Sequence, residues 1–284
     1  MANPLKDATA VRQQQREEWT ILAPNWAAPV FGADVWPPRA RLLELAGICA
    51  GQRVLDVACG TGNAALVERV GREGYVLGLD LTPGMVQVGQ EWVRHHGLRN
   101  VEFRVIESEL ELSVPDASFD VAICAFGLTY MPDPAEALRA VHQALKPGGR
   151  AAVVTWAGLD RVPFLAFEVQ ILSRYLDPAL LDLTGPGACA LPTAAAVANV
   201  FKAAGFTGVE TEAMNIDMAW DSPGAYWDFM AAMAWPLAML RPKLSAEVLE
   251  TIREDARKTL GTLFPDGPVK FTNAVLLAAG TKAS

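Results

Sequence analysis

Residues 54–63 read Val54-Leu55-Asp56-Val57-Ala58-Cys59-Gly60-Thr61-Gly62-Asn63. A strand-forming apolar run ends beside a carboxylate, turns through two glycines and feeds a helix that the pattern predicts over 63–70. Gly60 and Gly62 lack a Cβ, so the backbone can bend tightly there and a ligand can come close to it. Asp56 puts negative charge where the turn opens. A pyrophosphate set on this turn would be repelled by Asp56, whereas a cationic ligand would be attracted.

Working outward, the pattern predicts a strand at 53–58 after a helix over 39–50, with Leu42, Leu43, Leu45, Ala46 and Ala50 on its apolar side. Strands are expected at 75–80, 101–106, 119–125 and 150–156, and helices at 83–96 and 134–145. Pro83 takes a tolerated early helix position, and Lys146-Pro147-Gly148-Gly149 is a turn into the fifth strand. Continuous apolar strands alternating with helices imply a parallel sheet covered on both faces, with right-handed crossovers. Further on, helices are expected at 162–176, 194–204 (closed by Gly205 as a C′ glycine), 224–240 and 245–260, with strands at 207–218 and 269–279. A helical insertion thus splits the last two strands, and such insertions commonly cover a ligand crevice. At the N-terminal end a helix is expected at 8–23, broken beyond by Pro24, Pro29, Pro37 and Pro38.

The 284 residues are 51% hydrophobic and 20% charged, which excludes disorder as the main state. The net charge is −8, with 24 basic against 32 acidic residues, which argues against a protein built to grip nucleic acid. Cys49, Cys59, Cys124 and Cys189 form no C-x-x-C pair, and His95, His96 and His142 form no metal-ligand pattern, so no metal is expected. His95-His96 reads as a solvated helix end and His142 as structural. The segment MANPLKDATAVRQQQREEW is polar, without the apolar core of a secretory signal, and no stretch is long enough for a membrane span. A cytoplasmic protein is expected.

Asp80 ends the second strand, 20 residues after Gly60, where an acid can accept both hydroxyl protons of a ribose. Leu81 and Met85 follow as apolar surfaces. Gly60-x-Gly62-x-x-Ala65 with Asp80 also fits a loose dinucleotide fingerprint; Asp56 and the later SFD and LKPGG runs argue against it. Trp19, Trp26, Trp36, Trp156 and Trp227 can be structural or can wall a ligand, and Tyr130 follows the fourth strand on the crevice side. The run Tyr226-Trp227-Phe229-Met230-Met233-Trp235-Met239 reads as core or as an apolar lid.

The chain resembles class I S-adenosylmethionine-dependent methyltransferases of the ubiquinone/menaquinone C-methyltransferase type. The matching runs are VLDVACGTGN (54–63), GLDLTPGMV (78–86), VPDASFDVAICAFGLTYMPDP (114–134) and LRAVHQALKPGGRAAVVTW (138–156), with a weaker one at TAAAVANVFKAAGF (193–206). The resemblance implies a Rossmann-like, doubly wound, mostly parallel seven-stranded sheet with an antiparallel last strand and a helical lid. It implies one domain over 1–284: a helical cap at 1–38, a cofactor core at 39–157, lid insertions at 158–204 and 221–265, and closing strands at 206–220 and 268–280. It further implies that Asp56, Ala58, Gly60, Thr61 and Gly62 hold the methionine part of S-adenosylmethionine, Asp80 its ribose, and Leu81 and Met85 its adenine. Glu107 stands where the family usually has Asp and would bond the adenine amino group, beside the Ser108 backbone N–H; Ile106 stands where glycine is frequent. Ala125 and Phe126 would touch the methionine end.

The implied reaction moves the sulfonium methyl group to a small hydrophobic or aromatic acceptor of natural-product, quinone or lipid-like type. Trp26, Trp36, Tyr130, Trp156 and Trp227 are the substrate-side candidates and Tyr130 the catalytic one. The alternatives are a non-methylating cyclisation or rearrangement at the same cofactor site, and a non-catalytic partner subunit. The expected partner is a small molecule, not nucleic acid; a homodimer stays open.

Overall fold

The computed structural model describes residues 7–26, 36–177, 181, 185–233, 237–241, 244–265 and 267–284. Pro29, Trp235 and the Met239 side chain, read above from the sequence, lie outside the described residues, as do 1–6 and 27–35 of the expected cap.

Seven strands form one sheet: β1 (Arg53–Val57), β2 (Tyr75–Asp80), β3 (Val101–Val105), β4 (Phe119–Ala125), β5 (Leu145–Trp156), β6 (Thr207–Trp220) and β7 (Val269–Thr281). Their order is β3-β2-β1-β4-β5-β7-β6, and β7 runs antiparallel to both its neighbours. The expected mixed, Rossmann-like sheet is therefore observed. Beyond Arg53 every residue of β1 is buried, and so is β2 beyond Tyr75. This is the pattern of strands covered on both faces by helices. β1 pairs β2 on one side and β4 on the other, so the winding reverses between β1 and β4. Open α/β sheets bind ligands at the carboxyl ends of the strands flanking such a reversal.

The helices are α1 (Ala8–Trp26), α2 (Pro37–Leu45), α3 (Ala64–Val70), α4 (Pro83–His95), α5 (Pro134–Ala144), α6 (Pro163–Leu172), α7 (Ala194–Ala203), α8 (Pro223–Met233), α9 (Leu237–Leu240) and α10 (Ala246–Leu263). Local chemistry sets several of their ends. Asn63, Asp133, Thr193 and Ser245 each accept a backbone N–H at an N-terminus. Gly205 (φ +93°) closes α7 as expected, with Phe206 N–H bonded back to the Phe201 carbonyl.

Several expected boundaries move: β5 starts at Leu145 and takes in the expected turn at Lys146–Gly149, α6 ends at Leu172 and not at 176, β6 and α10 run on to Trp220 and Leu263, and three further changes have a local cause. α1 does not break at Pro24 but continues to Trp26. Pro24 falls in the last turn, where buried Leu22 and Ala23 and the Trp19–Trp26 ring contact (centroids 5.6 Å) offset the missing donor. The helix expected to Ala50 stops at Leu45, because Gly47 takes φ +68° and Ile48 N–H turns back to the Leu43 carbonyl, leaving Ala50 exposed. The expected 224–240 helix is two pieces, α8 and α9, with 234–236 outside the described residues. No described helix is long and apolar enough to cross a membrane.

Candidate functional site

The carboxyl ends of β1, β2 and β4 converge on one cavity that also receives α1, α6 and α8. Its first wall is the glycine loop. The chain leaves β1 after Val57, one residue past Asp56, and bends at Ala58, a non-glycine residue at φ +53°. Gly60 then takes φ +55° with open space beside it, and its N–H donates to Asp80 Oδ2 at 2.8 Å. Asp80 Oδ1 accepts the Thr82 N–H, also at 2.8 Å. One carboxylate thus fixes both the loop after β1 and the entry to α4. The Thr82 hydroxyl and the Leu81 N–H also favour its charged form. Asp56 is 5% exposed, and burial pushes its carboxyl up to about 7, Asp80 adding to the rise and Arg39 opposing it. Burial is also the largest influence on Asp80, raising its carboxyl against the Gly60 and Thr82 hydrogen bonds.

Gly62 has a different reason. A Cβ there would lie 2.7 Å from the Phe103 ring. Gly78 and Gly89 face the same ring, at 2.9 and 2.8 Å. Phe103 of β3 therefore plugs the space under the loop, and these glycines make room for it.

The second wall is aromatic. Phe126, at φ +63°, follows β4, and its N–H bonds the Val154 carbonyl at 2.7 Å. Left-handed non-glycine residues cost of order 1–3 kcal/mol and cluster at functional sites; Ala58 and Phe126 both line this cavity. Trp36 stacks on Phe126 (5.1 Å), Phe126 meets Trp156 (5.1 Å), and Trp156 meets Phe164 (5.0 Å). On the α1 side Trp19 stands edge-on to Tyr130 at 5.3 Å. Burial lifts the Tyr130 phenol well above its ordinary value, so it stays protonated at neutral pH.

Of the residues singled out in the sequence, Asp56, Ala58, Gly60, Thr61, Gly62 and Asp80 line this cavity together. So do Leu81, Met85, Ala125 and Phe126, and on the aromatic side Trp26, Trp36, Tyr130 and Trp156. Thr61 also donates its hydroxyl to the Trp26 carbonyl at 3.2 Å, tying α1 to the glycine loop.

Glu107, Ser108 and Trp227 are not brought in. The Glu107 side chain is 85% exposed and pairs with Arg16 at 2.9 Å, while the Ser108 hydroxyl accepts the Leu110 N–H. β3 stops at Val105; Ile106 and Glu109 of the following loop face the cavity instead. Trp227 lies on α8 along a separate groove with Leu249 and Arg253 of α10. The residue missed in the sequence is Glu109. Its buried carboxylate takes two hydrogen bonds from Arg12 of α1, at 2.7 and 2.6 Å. Beside Glu109 the Arg12 guanidinium holds its proton more firmly than usual. The available signal was Arg12 and Arg16, one helical turn apart, opposite two alternate acids.

The histidines stand elsewhere. His95 and His96 are exposed at the end of α4, and His142 packs edge-on against Phe206 at 5.0 Å. Among the lining residues the titratable groups are acids, two arginines, Cys59 and Tyr130. Burial and the two aspartates push the Cys59 thiol well up, so it is not a nucleophile.

Comparison with known proteins agrees with this geometry. The YcgJ protein from Bacillus subtilis superposes with a TM-score of 0.58 at 21% identity, covering 87% of this chain and 98% of that one, which shows a shared fold. A demethylmenaquinone methyltransferase of Listeria welshimeri is 40% identical over 118 residues, 41% of this chain and 50% of the relative; the chain thus spans about half the length of that relative. A demethylmenaquinone methyltransferase of Geobacillus stearothermophilus is 31% identical over 192 residues, covering 64% of this chain and 82% of the relative. The sequence profile of the ubiE/COQ5 methyltransferase family matches residues 33–184, more than half of the chain. The glycine loop, the acids closing β1 and β2 and the aromatic turn after β4 all lie inside that span, and the chain belongs to the ubiE/COQ5 methyltransferase family.

Proposed function

We propose that this chain transfers a methyl group from S-adenosylmethionine to a small aromatic acceptor of quinol type, by in-line displacement. The observation that supports it is one cavity with two unlike ends, a glycine loop flanked by Asp56 and Asp80 and a wall built from Trp36, Phe126, Trp156 and Phe164. The site residues fit the donor: buried acids, a loop whose Gly60 leaves open space beside it, and apolar surfaces from Leu81, Met85 and Ile106.

Bound S-adenosylmethionine supplies a methyl group on a positively charged sulfur. Asp80 would accept the ribose hydroxyl protons beside the backbone donors that already hold its carboxylate. Asp56 supplies negative charge on the cationic side, and Arg39 keeps part of that charge ionised in the free protein. The Trp36 and Phe126 faces favour a cation and exclude water. The aromatic wall stacks a flat acceptor, and holding the two reactants in line accounts for much of the rate. Tyr130 stays protonated and so acts as a hydrogen-bond donor that orients an acceptor oxygen, not as a base. No histidine or lysine lines the cavity among the described residues, which suits an acceptor whose own hydroxyl, as in an aromatic quinol, activates the attacking carbon.

The test is incubation with methyl-labelled S-adenosylmethionine and a panel holding a short-chain demethylmenaquinol, a polyketide phenol, a fatty-acyl lipid and RNA. Label in the quinol with stoichiometric S-adenosylhomocysteine is expected. Label only in RNA, or turnover of acceptor without S-adenosylhomocysteine, overturns the reading.

A further inference from the structure

Glu168 is a buried carboxyl outside the groups used above. It lies on α6, one turn beyond Phe164 and Leu165, which line the aromatic end of the cavity, and so on the same helix face. Its Oε1 accepts the N–H of Leu237 at 2.8 Å, the first residue of α9. Its Oε2 is buried with no partner among the described residues. α8, which ends just before α9, supplies Phe229 and Met233 to the same cavity. One side chain therefore ties α6, which lines the cavity, to the start of α9, which follows α8 in the chain.

We propose that Glu168 is a positioning residue for the acceptor: by clamping α6 to the start of α9 it sets the shape of the aromatic end, and its ionisation favours an opened, hydrated arrangement over the clamped, buried one. This rests on the acceptor end being where the proposed function places it. Among the described residues the surroundings give the carboxyl no counter-charge. The titratable groups in its field are Tyr130 and, on α8, Tyr226, whose hydroxyl is committed to the Phe164 carbonyl at 2.7 Å. From β7 the neighbour is the amide of Asn273, which accepts the Phe164 N–H. On α10, Asp255 is engaged near the surface by Arg174 and Tyr175. With no cation beside it among the described residues, burial pushes Glu168 up to about 8 against the Leu237 hydrogen bond, which favours the charged form. A leucine would fill the position and remove the bare Oε2, but would leave the Leu237 N–H without its acceptor, so the carboxyl serves that bond and not packing alone.

The sign follows. Burial raises the carboxyl only while the clamp is closed, so the closed arrangement loses stability as pH rises from the ordinary carboxylate range to about 8 and is flat above it, the charge being better solvated when the site opens to water. The experiment compares wild type, Glu168→Gln and Glu168→Leu. Gln keeps an oxygen for the Leu237 N–H and never ionises. Leu removes the bond. Hydrogen exchange at the Leu237 amide, corrected for intrinsic rate, is measured from pH 6 to 9. Binding of 1-naphthol, an unreactive bicyclic aromatic, is followed by quenching of the cavity tryptophans with S-adenosylhomocysteine saturating.

Wild-type protection at Leu237 is expected to fall at least tenfold from pH 7 to 9 with a parallel rise in the 1-naphthol Kd. Both stay flat in Glu168→Gln, while Glu168→Leu is weak at every pH by about 3- to 12-fold. The Kd of S-adenosylhomocysteine changes by less than twofold throughout. Equal pH dependence in wild type and Glu168→Gln overturns the proposal, as does 1-naphthol binding that ignores the substitutions or is absent. If Glu168→Leu does not fold, the Gln profile alone decides. Absence of S-adenosylhomocysteine binding in every form instead overturns the proposed function, and the exchange data still judge the clamp.

Discussion

Replacing Asp80 by asparagine isolates the role of one carboxylate. Asp80 is 8% exposed and holds Gly60 N–H and Thr82 N–H, each at 2.8 Å. Asparagine offers one acceptor oxygen, so the other position turns an NH2 donor against a backbone N–H. A hydrogen bond to a charged group contributes about 1.5–3 kcal/mol, and removing a buried charge returns part of that. A net loss of about 1–3 kcal/mol in stability follows, read as a fall of about 2–5 °C in Tm for a domain of this size. Ligand affinity loses more. Of two charge-assisted bonds to a ribose diol one disappears and the other becomes neutral, a cost of about 2–4 kcal/mol, or roughly 30- to 1,000-fold in Kd. Calorimetric titration with S-adenosylhomocysteine, alongside thermal melts, checks both numbers. A folded Asp80→Asn protein that binds within threefold of wild type refutes the ribose assignment. Alanine is the poorer probe, because it orphans both backbone donors and mixes loop collapse with lost ligand contact.

Gly62→Ala meets φ +104° and the Phe103 ring at 2.7 Å, so a loss of about 2–4 kcal/mol in urea unfolding is expected, with positive coupling to Phe103→Leu in a double-mutant cycle. Arg12→Ala leaves the Glu109 carboxylate buried and unpaired, a cost of about 3 kcal/mol that adding Glu109→Gln should partly reverse; additive effects would show the pair to be inert. Burial raises Asp56 above its unfolded value, so the folded protein binds that proton more tightly. Its contribution to stability therefore falls as pH rises from the ordinary carboxylate range to about 7 and is flat above. A cationic ligand reverses the preference: S-adenosylmethionine should bind about tenfold more weakly at pH 6 than at pH 8, while neutral-sulfur S-adenosylhomocysteine shows no such slope. Parallel pH profiles for the two would remove Asp56 from the cation's surroundings.

Much of the fold is legible along the chain. β1, β2 and β4 read directly, because each is an apolar run ended by glycine, proline or an acid. The misplaced boundaries share a cause: Pro24 and Gly47 were weighed by local preference, while aromatic packing carried α1 onward and a left-handed glycine stopped α2 early. On the site, Asp56 and Asp80 were legible because they close buried strands. Glu109 was not, since its partner Arg12 is 97 residues away in sequence. Gly62 was legible as a constraint but not for its reason, which is the ring of Phe103.

By itself the sequence determined the alternating strands and helices, the glycine turn and the two acids, because periodicity, chain stiffness and the lack of a Cβ act between neighbours in the chain. Only the tertiary structure decided which acid after β3 turns inward, which tryptophans share one cavity and that Glu168 of α6 meets the start of α9. Those outcomes depend on which distant surfaces meet when apolar area is buried, and that is set by the packing of the whole chain.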